Sequence, residues 1–296
     1  MIKSGDPPVA LTIAGSDSGS GAGIQADIRT MAAFGVLATT AVTAVTAQNT
    51  TEVRDVHLVP TDVVVSQIRT VVDDLPVSAV KTGLLADPAV VEAVGLLAAS
   101  GMLPRLVVDP VMVASTGRVL LSEPGVDAYR RQLLPHALVI TPNLFEAALL
   151  AATPPIHDVD AMADAARAIH GLGPKWVLVK GGHLPGVPSD DDGVAPDEVT
   201  DVLFDGIRIT VLRNVRVDTP NTHGTGCSLS AAIAAQLALG TEVPTAVATA
   251  VQFVHAALLG AAGWRLGKGH GPIDHLGWSA KAAGPGGGPT ANVAGS

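Results

Sequence analysis

The chain has 296 residues and carries 27 acidic against 18 basic side chains, a formal net charge of −9. That length suits one large α/β domain, or at most two, with ample residues for a full core. Lys and Arg are scattered rather than bunched, which excludes the footprint of a nucleic-acid binder; the single cysteine excludes an internal disulfide and any multi-cysteine zinc site. Short apolar runs then alternate with helical patterns from Val9 onward. Val9 to Ala14 reads as a strand, Gly23 to Phe34 as a helix, Ala38 to Ala47 as a β-branched strand, and Val53 to Val59 as a further extended piece. A helix from Thr61 to Asp73 follows, then short buried strands Ala79 to Lys81 and Leu106 to Asp109 around a helix from Pro88 to Ala99. Leu138 to Thr141 is another strand and leads at once into a helix through Leu150.

The helix Asp158 to His170 precedes the strand Trp176 to Lys180. Val199 to Phe204 and Ile207 to Leu212 read as antiparallel strands joined by Asp205-Gly206, extending the sheet edge or forming a partial lid. An alanine-rich helix, Ser228 to Leu239, is closed by Gly240, and one more helix completes a single domain over 9–278. Residues 1–8 and 279–296 are expected to be flexible ends. The N-terminus has no basic segment leading into an apolar one, so a signal peptide is not expected. Two uncharged runs, Met31 to Thr51 and Thr245 to Gly263, raise the membrane question. The first is broken by Gly35; the second contains Gln252 and His255 and suits a buried or half-buried helix, so a cytoplasmic protein without a membrane partner is expected.

Strand–helix alternation of this kind predicts a mostly parallel sheet covered on both faces, with ligands at the carboxyl ends of its strands. The residues that follow the strands should therefore converge: Gly15-Ser16-Asp17, Gln48-Asn49, Lys81-Thr82-Gly83, Asp109-Pro110, Thr141-Pro142-Asn143 and Lys180-Gly181-Gly182-His183. The first glycine loop lacks the third glycine of a dinucleotide fingerprint, because Ile24 stands there. No Gly-x-x-x-x-Gly-Lys-Ser/Thr occurs, which excludes a P-loop.

Asn221-Thr-His-Gly-Thr-Gly-Cys227 enters the alanine-rich helix and places its glycines and thiol on the first turn. Unpaired backbone N–H groups and the positive dipole end there suit a phosphate, and they are expected to lower a thiol pKa toward service as a base. A buried structural cysteine after a glycine turn would look the same. Asn143 and Glu146 lie three apart at a helix start, and with Asp109 they suit a hydrated Mg²⁺ or, equally, a capping box. Lys180 ends its strand before two glycines, where it could face phosphates or simply solvent. His57, His157, His170 and His275 read as surface or core histidines, His183, His223 and His255 lack metal-ligand spacing, and Asp190 to Asp192 reads as a solvated loop.

Taken in order, Ala14 to Asp17, Ala22 to Asp27, Thr46 to Thr50, Lys81 to Gly83, Val108 to Met112, Thr141 to Asn143, Val179 to His183, Asn221 to Cys227 and Gly267 to Pro272 resemble one family. It is the ribokinase superfamily, and within it the hydroxymethylpyrimidine/phosphomethylpyrimidine kinases of thiamine biosynthesis. The resemblance implies a ribokinase-like three-layer sandwich, ATP with Mg²⁺ as phosphoryl donor, a small pyrimidine alcohol and its monophosphate as acceptors, and a homodimer. It implies that Cys227 is the base and that Gly224, Thr225, Gly226 and Cys227 form the anion hole. Gly15, Asp27 and Gln48 would hold the pyrimidine, with Leu84 and Val111 as apolar walls; Asp109, Asn143, Lys180 and Glu146 would serve nucleotide, metal and phosphates. Three positions depart from the family pattern: Ser20 replaces a usual glycine, Leu84 a common Met, and Arg118-Val119 a frequent Asp-Pro. The alternatives are a pyridoxal kinase, which acts on a similar hydroxymethyl heterocycle, and a heterocycle sensor that has lost turnover. A sugar kinase fits poorly because Cys227 stands where those enzymes carry Asp.

Overall fold

The computed structural model describes residues 5–112, 121–182, 184 and 198–282. The expectations for His183, Arg118, Val119, Asp190 to Asp192 and most of the two ends lie outside those residues. The strands are β1 (Val9–Asp17), β2 (Leu37–Gln48), β3 (Val53–Leu58), β4 (Val77–Thr82), β5 (Val107–Val108), β6 (Val139–Ile140), β7 (Trp176–Val179), β8 (Glu198–Phe204) and β9 (Ile209–Val215). They form one sheet in the order β3-β2-β1-β4-β5-β6-β7-β8-β9. The six strands from β2 to β7 pair in parallel, while β3 on one edge and β8 and β9 on the other are antiparallel. This is the expected ribokinase-like three-layer sandwich, and the β8–β9 pair extends the sheet.

The parallel strands are buried on both faces because helices cover each side. One face packs Ile13, Val80, Val108 and Ile140 under α2 (Thr61–Asp74), α3 (Pro88–Ala99), α5 (Leu144–Ala151) and α6 (Val159–His170). The other packs Ala10, Ala79, Val107 and Val139 under α1 (Gly23–Ala33), α7 (Thr225–Ala238) and α8 (Val243–Ala261). α7 is buried almost all round from Ser228 to Ala235, and its Ala and Ser side chains are what allow a helix to lie between the sheet and α8. α8 is long and apolar enough by composition to cross a membrane. In the fold, its Val243, Ala246, Val247, Ala250 and Val251 lie in this core, and Phe253 meets Phe34 with ring centres 5.0 Å apart.

Three differences from the sequence reading have local causes. β1 runs on to Asp17 through an irregularity at Gly15, which carries the strand's last residues into the site. The Asp205-Gly206 hairpin is wider than a two-residue turn. The Asp205 carboxylate accepts the N–H groups of both Ile207 and Arg208, so Ile207 stands exposed outside β9. The short helix α4 (Glu123–Ala128), followed by a π turn over Tyr129–Leu133 and a 3₁₀ turn over Leu134–His136, carries no helical signal in the sequence because Pro124, Gly125 and Pro135 disguise it.

β7 delivers Lys180 to the site, and Gly181 is the residue that lets it approach β8. The Gly181 N–H donates to Asp201 Oδ1 at 2.9 Å, and a Cβ at Gly181 would overlap the Thr200 carbonyl oxygen. Gly181→Ala should therefore lower stability by about 1–3 kcal/mol. A denaturant midpoint unchanged by the substitution would show that the two strands part at no cost.

Candidate active site

The strand ends converge around the first turn of α7, and glycines allow the segments to touch. Gly224 is the residue before the helix and takes the left-handed conformation (φ 86°); a Cβ on it would overlap the Gly21 carbonyl oxygen. The glycine loop after β1 is thus pressed against the entrance of α7. Gly15 lies beside Leu84, with a Cβ there only 3.3 Å from Cδ2, so two of the expected pyrimidine-site residues share one wall. Val111 stands half-buried two residues beyond the buried Asp109.

Asp17 organises the loop. Its Oδ1 accepts from Gly19 N–H (2.8 Å), and its Oδ2 accepts from Gly21 N–H (3.0 Å) and Ala22 N–H (2.8 Å). Nε2 of His223 lies 3.0 Å from Oδ2 and 3.1 Å from the Gln48 amide nitrogen. Burial raises the Asp17 carboxyl, but the hydrogen bonds from His223 and the loop N–H groups outweigh it and hold Asp17 below its ordinary value. An ionised Asp17 needs a proton on Nε2, so the Gln48 amide meets the ring with its oxygen and turns its NH₂ outward. A cleft of about 380 Å³ opens there, lined by Gln48, Asn49, Thr50, Thr51, His223, Gly269 and His270. The sequence placed Asp17 only among the converging strand ends, with no role of its own, and marked His223 only as lacking metal-ligand spacing. The signal was present, since one ends β1 and the other lies inside Asn221 to Cys227.

Asp27 is a correction. It was expected to touch the pyrimidine, but it is fully buried and committed behind the site. Both of its oxygens accept from Lys81 Nζ (3.0 and 2.9 Å), and Oδ2 also accepts from Thr12 Oγ1 (2.6 Å). Lys81 is equally inaccessible, and the pair is close enough for both charges to act on the thiol.

The thiol itself differs from expectation. Cys227 is the third residue of α7 and half-buried at the strand mouths, near the Gly23 N–H. Burial pushes its pKa up to about 11; the Lys81 charge pulls down, and the Asp109 and Asp27 carboxylates push up. The helix dipole expected to lower it is outweighed by desolvation and two buried carboxylates.

Lys180 faces the same turn. Its ammonium lies 3.0 Å from Asp109 Oδ1, and a Cβ on Gly226 would come within 3.2 Å of Nζ, so the cation and the glycine backbone border one space. Asp109 also accepts from Thr141 Oγ1 and Ser230 Oγ. Burial raises Asp109, yet the Lys180 and Lys81 charges hold it below the carboxylate range. Asn143 and Glu146 form a reciprocal capping box on α5: Glu146 N–H donates to Asn143 Oδ1 (2.9 Å), and Asn143 N–H donates to Glu146 Oε2 (2.8 Å). Glu146 is nearly inaccessible, and burial, opposed by Lys180 and reinforced by Asp109, raises it to about 7. Among the described residues no group of three or more His, Cys, Asp or Glu side chains could hold a metal. With Asp109 tied to Lys180, and Glu146 Oε1 held only by a long 3.5 Å contact from Met112 N–H, the donors fit a cation that keeps most of its water.

The family model described as phosphomethylpyrimidine kinase matches residues 17–274. The chain belongs to the phosphomethylpyrimidine kinase family. A relative from Streptomyces coelicolor, named hydroxymethylpyrimidine/phosphomethylpyrimidine kinase, is 45 % identical over 273 residues, spanning 92 % of this chain and 96 % of its own. Among solved structures, an ADP complex of Bacillus subtilis pyridoxal kinase superposes with a TM-score of 0.81 at 37 % identity, covering 92 % of this chain and 99 % of that one. A phosphomethylpyrimidine kinase from Clostridium difficile gives 0.71 at 38 % identity, covering 84 % and 99 %.

In this member of the phosphomethylpyrimidine kinase family the single cysteine makes the thiol directly measurable. Alkylation by iodoacetamide should keep rising with pH toward about 11, instead of levelling near the ordinary thiol value of roughly 8.5. Replacing the buried pair together, Lys81→Met with Asp27→Asn, should move that rise higher still, because the Lys81 charge is the larger of the two influences. A plateau by pH 9 in the unaltered protein would contradict the burial of the thiol.

Proposed function

We infer that the chain is an ATP-dependent kinase of 4-amino-5-hydroxymethyl-2-methylpyrimidine and of the resulting monophosphate. The observation that carries this reading is the space that Lys180 borders at Gly226 beside Cys227, tied through the Gly21–Gly224 contact to the loop at the cleft that holds Gln48 and His223. The turn from Gly224 to Cys227 and the Lys180 ammonium suit the charge of a transferring phosphoryl group. Gln48 offers a donor and an acceptor to an aminopyrimidine edge, and Leu84 and Val111 border the ring. Asn143 and Lys180 serve the nucleotide. Mg²⁺ would neutralise polyphosphate charge, and Glu146 and Asp109 are the groups that would face it through water.

In the first transfer the acceptor hydroxyl oxygen bonds to the γ-phosphorus, the bond to the β–γ bridging oxygen breaks, and ADP leaves. The hydroxyl proton passes to Cys227 Sγ as thiolate. With its pKa near 11, the thiol is ionised in roughly one molecule in ten thousand at neutral pH. Because the hydroxyl proton departs late in a loose transition state, a base that is strong once ionised remains useful. The Lys81 charge favours that ionised form. In the second transfer the nucleophile is a phosphate oxygen, already ionised near pH 7, and it needs no base.

The two steps should therefore separate. Cys227→Ala should lower the rate on the alcohol by roughly two to four powers of ten while leaving the rate on the monophosphate far less affected. Parallel turnover assays with the two acceptors check this, and equal losses would sink the base assignment. Likeness to pyridoxal kinase of known structure supports a second acceptor, pyridoxal. Comparing kcat/KM for the pyrimidine alcohol, pyridoxal and sugar alcohols decides between them, and strong preference for pyridoxal would reverse the assignment.

A further inference from the structure

Arg29, on the outer part of α1, is not one of the groups placed in the site, yet its guanidinium connects both halves of it. Nη1 donates to Ser20 Oγ at 2.6 Å, and Nη2 donates to the Ser20 carbonyl oxygen. Nε lies 3.5 Å from His275 Nδ1. Nε2 of His275 is 2.8 Å from Ser228 Oγ, which donates to the Gly224 carbonyl at 2.8 Å.

Ser228 donates to the Gly224 carbonyl and its oxygen also meets His275 Nε2, while the ring hydrogen-bonds the Ile273 carbonyl as well, so His275 is held from three sides. His275 is a neutral imidazole. Its burial, together with the adjacent Arg29 charge, holds it down to about 4. Ser20 needs such a grip. It has φ 64°, a left-handed conformation that a serine adopts at a cost of about 1 kcal/mol or more. The resemblance in the sequence places a glycine at this position. A serine adds the hydroxyl that Arg29 holds. The neighbouring residue, Gly21, lies against both His223 and Gly224, so movement of Ser20 would be felt at both ends of the site.

We propose that Arg29 is a positioning residue that locks the Ser20 loop to the anion-binding turn through His275 and Ser228, keeping acceptor and phosphoryl sites in register. The proposal rests on the kinase reading for its kinetic consequences and on the hydrogen bonds alone for its structural one.

The test uses the full chain with Arg29→Met, Arg29→Lys and Ser20→Gly. Arg29→Met should raise KM for the pyrimidine alcohol roughly tenfold or more, the scale of one lost charge-assisted hydrogen bond, with KM for ATP nearly unchanged. Arg29→Lys should recover part of the loss, because one ammonium can still reach Ser20. Ser20→Gly should fall between the parent and Arg29→Met, since it keeps the carbonyl acceptor and loses the hydroxyl. Hydrogen exchange of the Gly19, Gly21 and Ala22 amides, which bond to Asp17, should quicken in Arg29→Met while the sheet amides stay protected. Unchanged loop exchange in Arg29→Met overturns the proposal, as does a loss of kcat with no change in KM for the alcohol. If the parent phosphorylates no alcohol, the kinase reading fails, and the exchange result still decides whether the lock exists.

Discussion

The site depends on a backbone contact: the glycine loop after β1 presses its Gly21 carbonyl against Gly224 at the entrance to α7. Any side chain at Gly224 would separate them. Because β1 lies mid-sheet beside β4, and α7 lies beneath both, this contact ties the cleft at Gln48 and His223 to the turn that faces Lys180. The parallel strands supply direction, since all of their carboxyl ends open on one edge, and the glycines supply proximity. Neither alone would bring the glycine loop against the entrance of α7.

Charge is handled locally against an acidic background. Lys81 and Lys180 are both buried or nearly so, and each is matched by a carboxylate, Asp27 and Asp109 respectively. Pairs of this kind add little to stability beyond what packed hydrocarbon would give. Their placement is more informative than their energy. Lys180 borders the first turn of α7 at Gly226, and Lys81 is close enough for its charge to act on the thiol. The carboxylates keep both lysines charged inside a desolvated site, while leaving Cys227 with a pKa that burial dominates.

Much of this was legible in the sequence where a residue's role follows from its place on an element. The strand ends converge as the alternation of β and α patterns required, and Asn143 with Glu146 forms the capping box that their three-residue spacing allowed. Two features were hidden. The family resemblance set Asp27 against the pyrimidine, and only the packing of β1, β4 and α1 shows that Lys81 and Thr12 have claimed both its oxygens. Arg29 and His275 are separated by 246 positions, and nothing local marks them as partners. The thiol pKa was misjudged for the same reason: a helix start is visible in sequence, whereas the carboxylates and the desolvation that oppose it come from distant segments.

The same distinction bears on substrate choice. The groups that would recognise the ring, Gln48 and His223 with Asp17 behind it, form a connected hydrogen-bonded row whose polarity is set by the loop amides on Asp17. A row of fixed polarity discriminates between heterocycles by the order of donors and acceptors on their edges, since a mismatch leaves a buried polar atom unpaired. On the proposed reading the phosphoryl end would carry no such information, because Lys180 and the α7 turn would meet the same transferring group whatever the acceptor. Specificity between a pyrimidine and a pyridine alcohol would, on the same reading, reside in this row and in the loop from Gly15 to Ala22 that orders it. That is also the loop in which the left-handed Ser20 is held by Arg29, so on this reading the step most sensitive to this chain's own sequence would be acceptor binding rather than phosphoryl transfer.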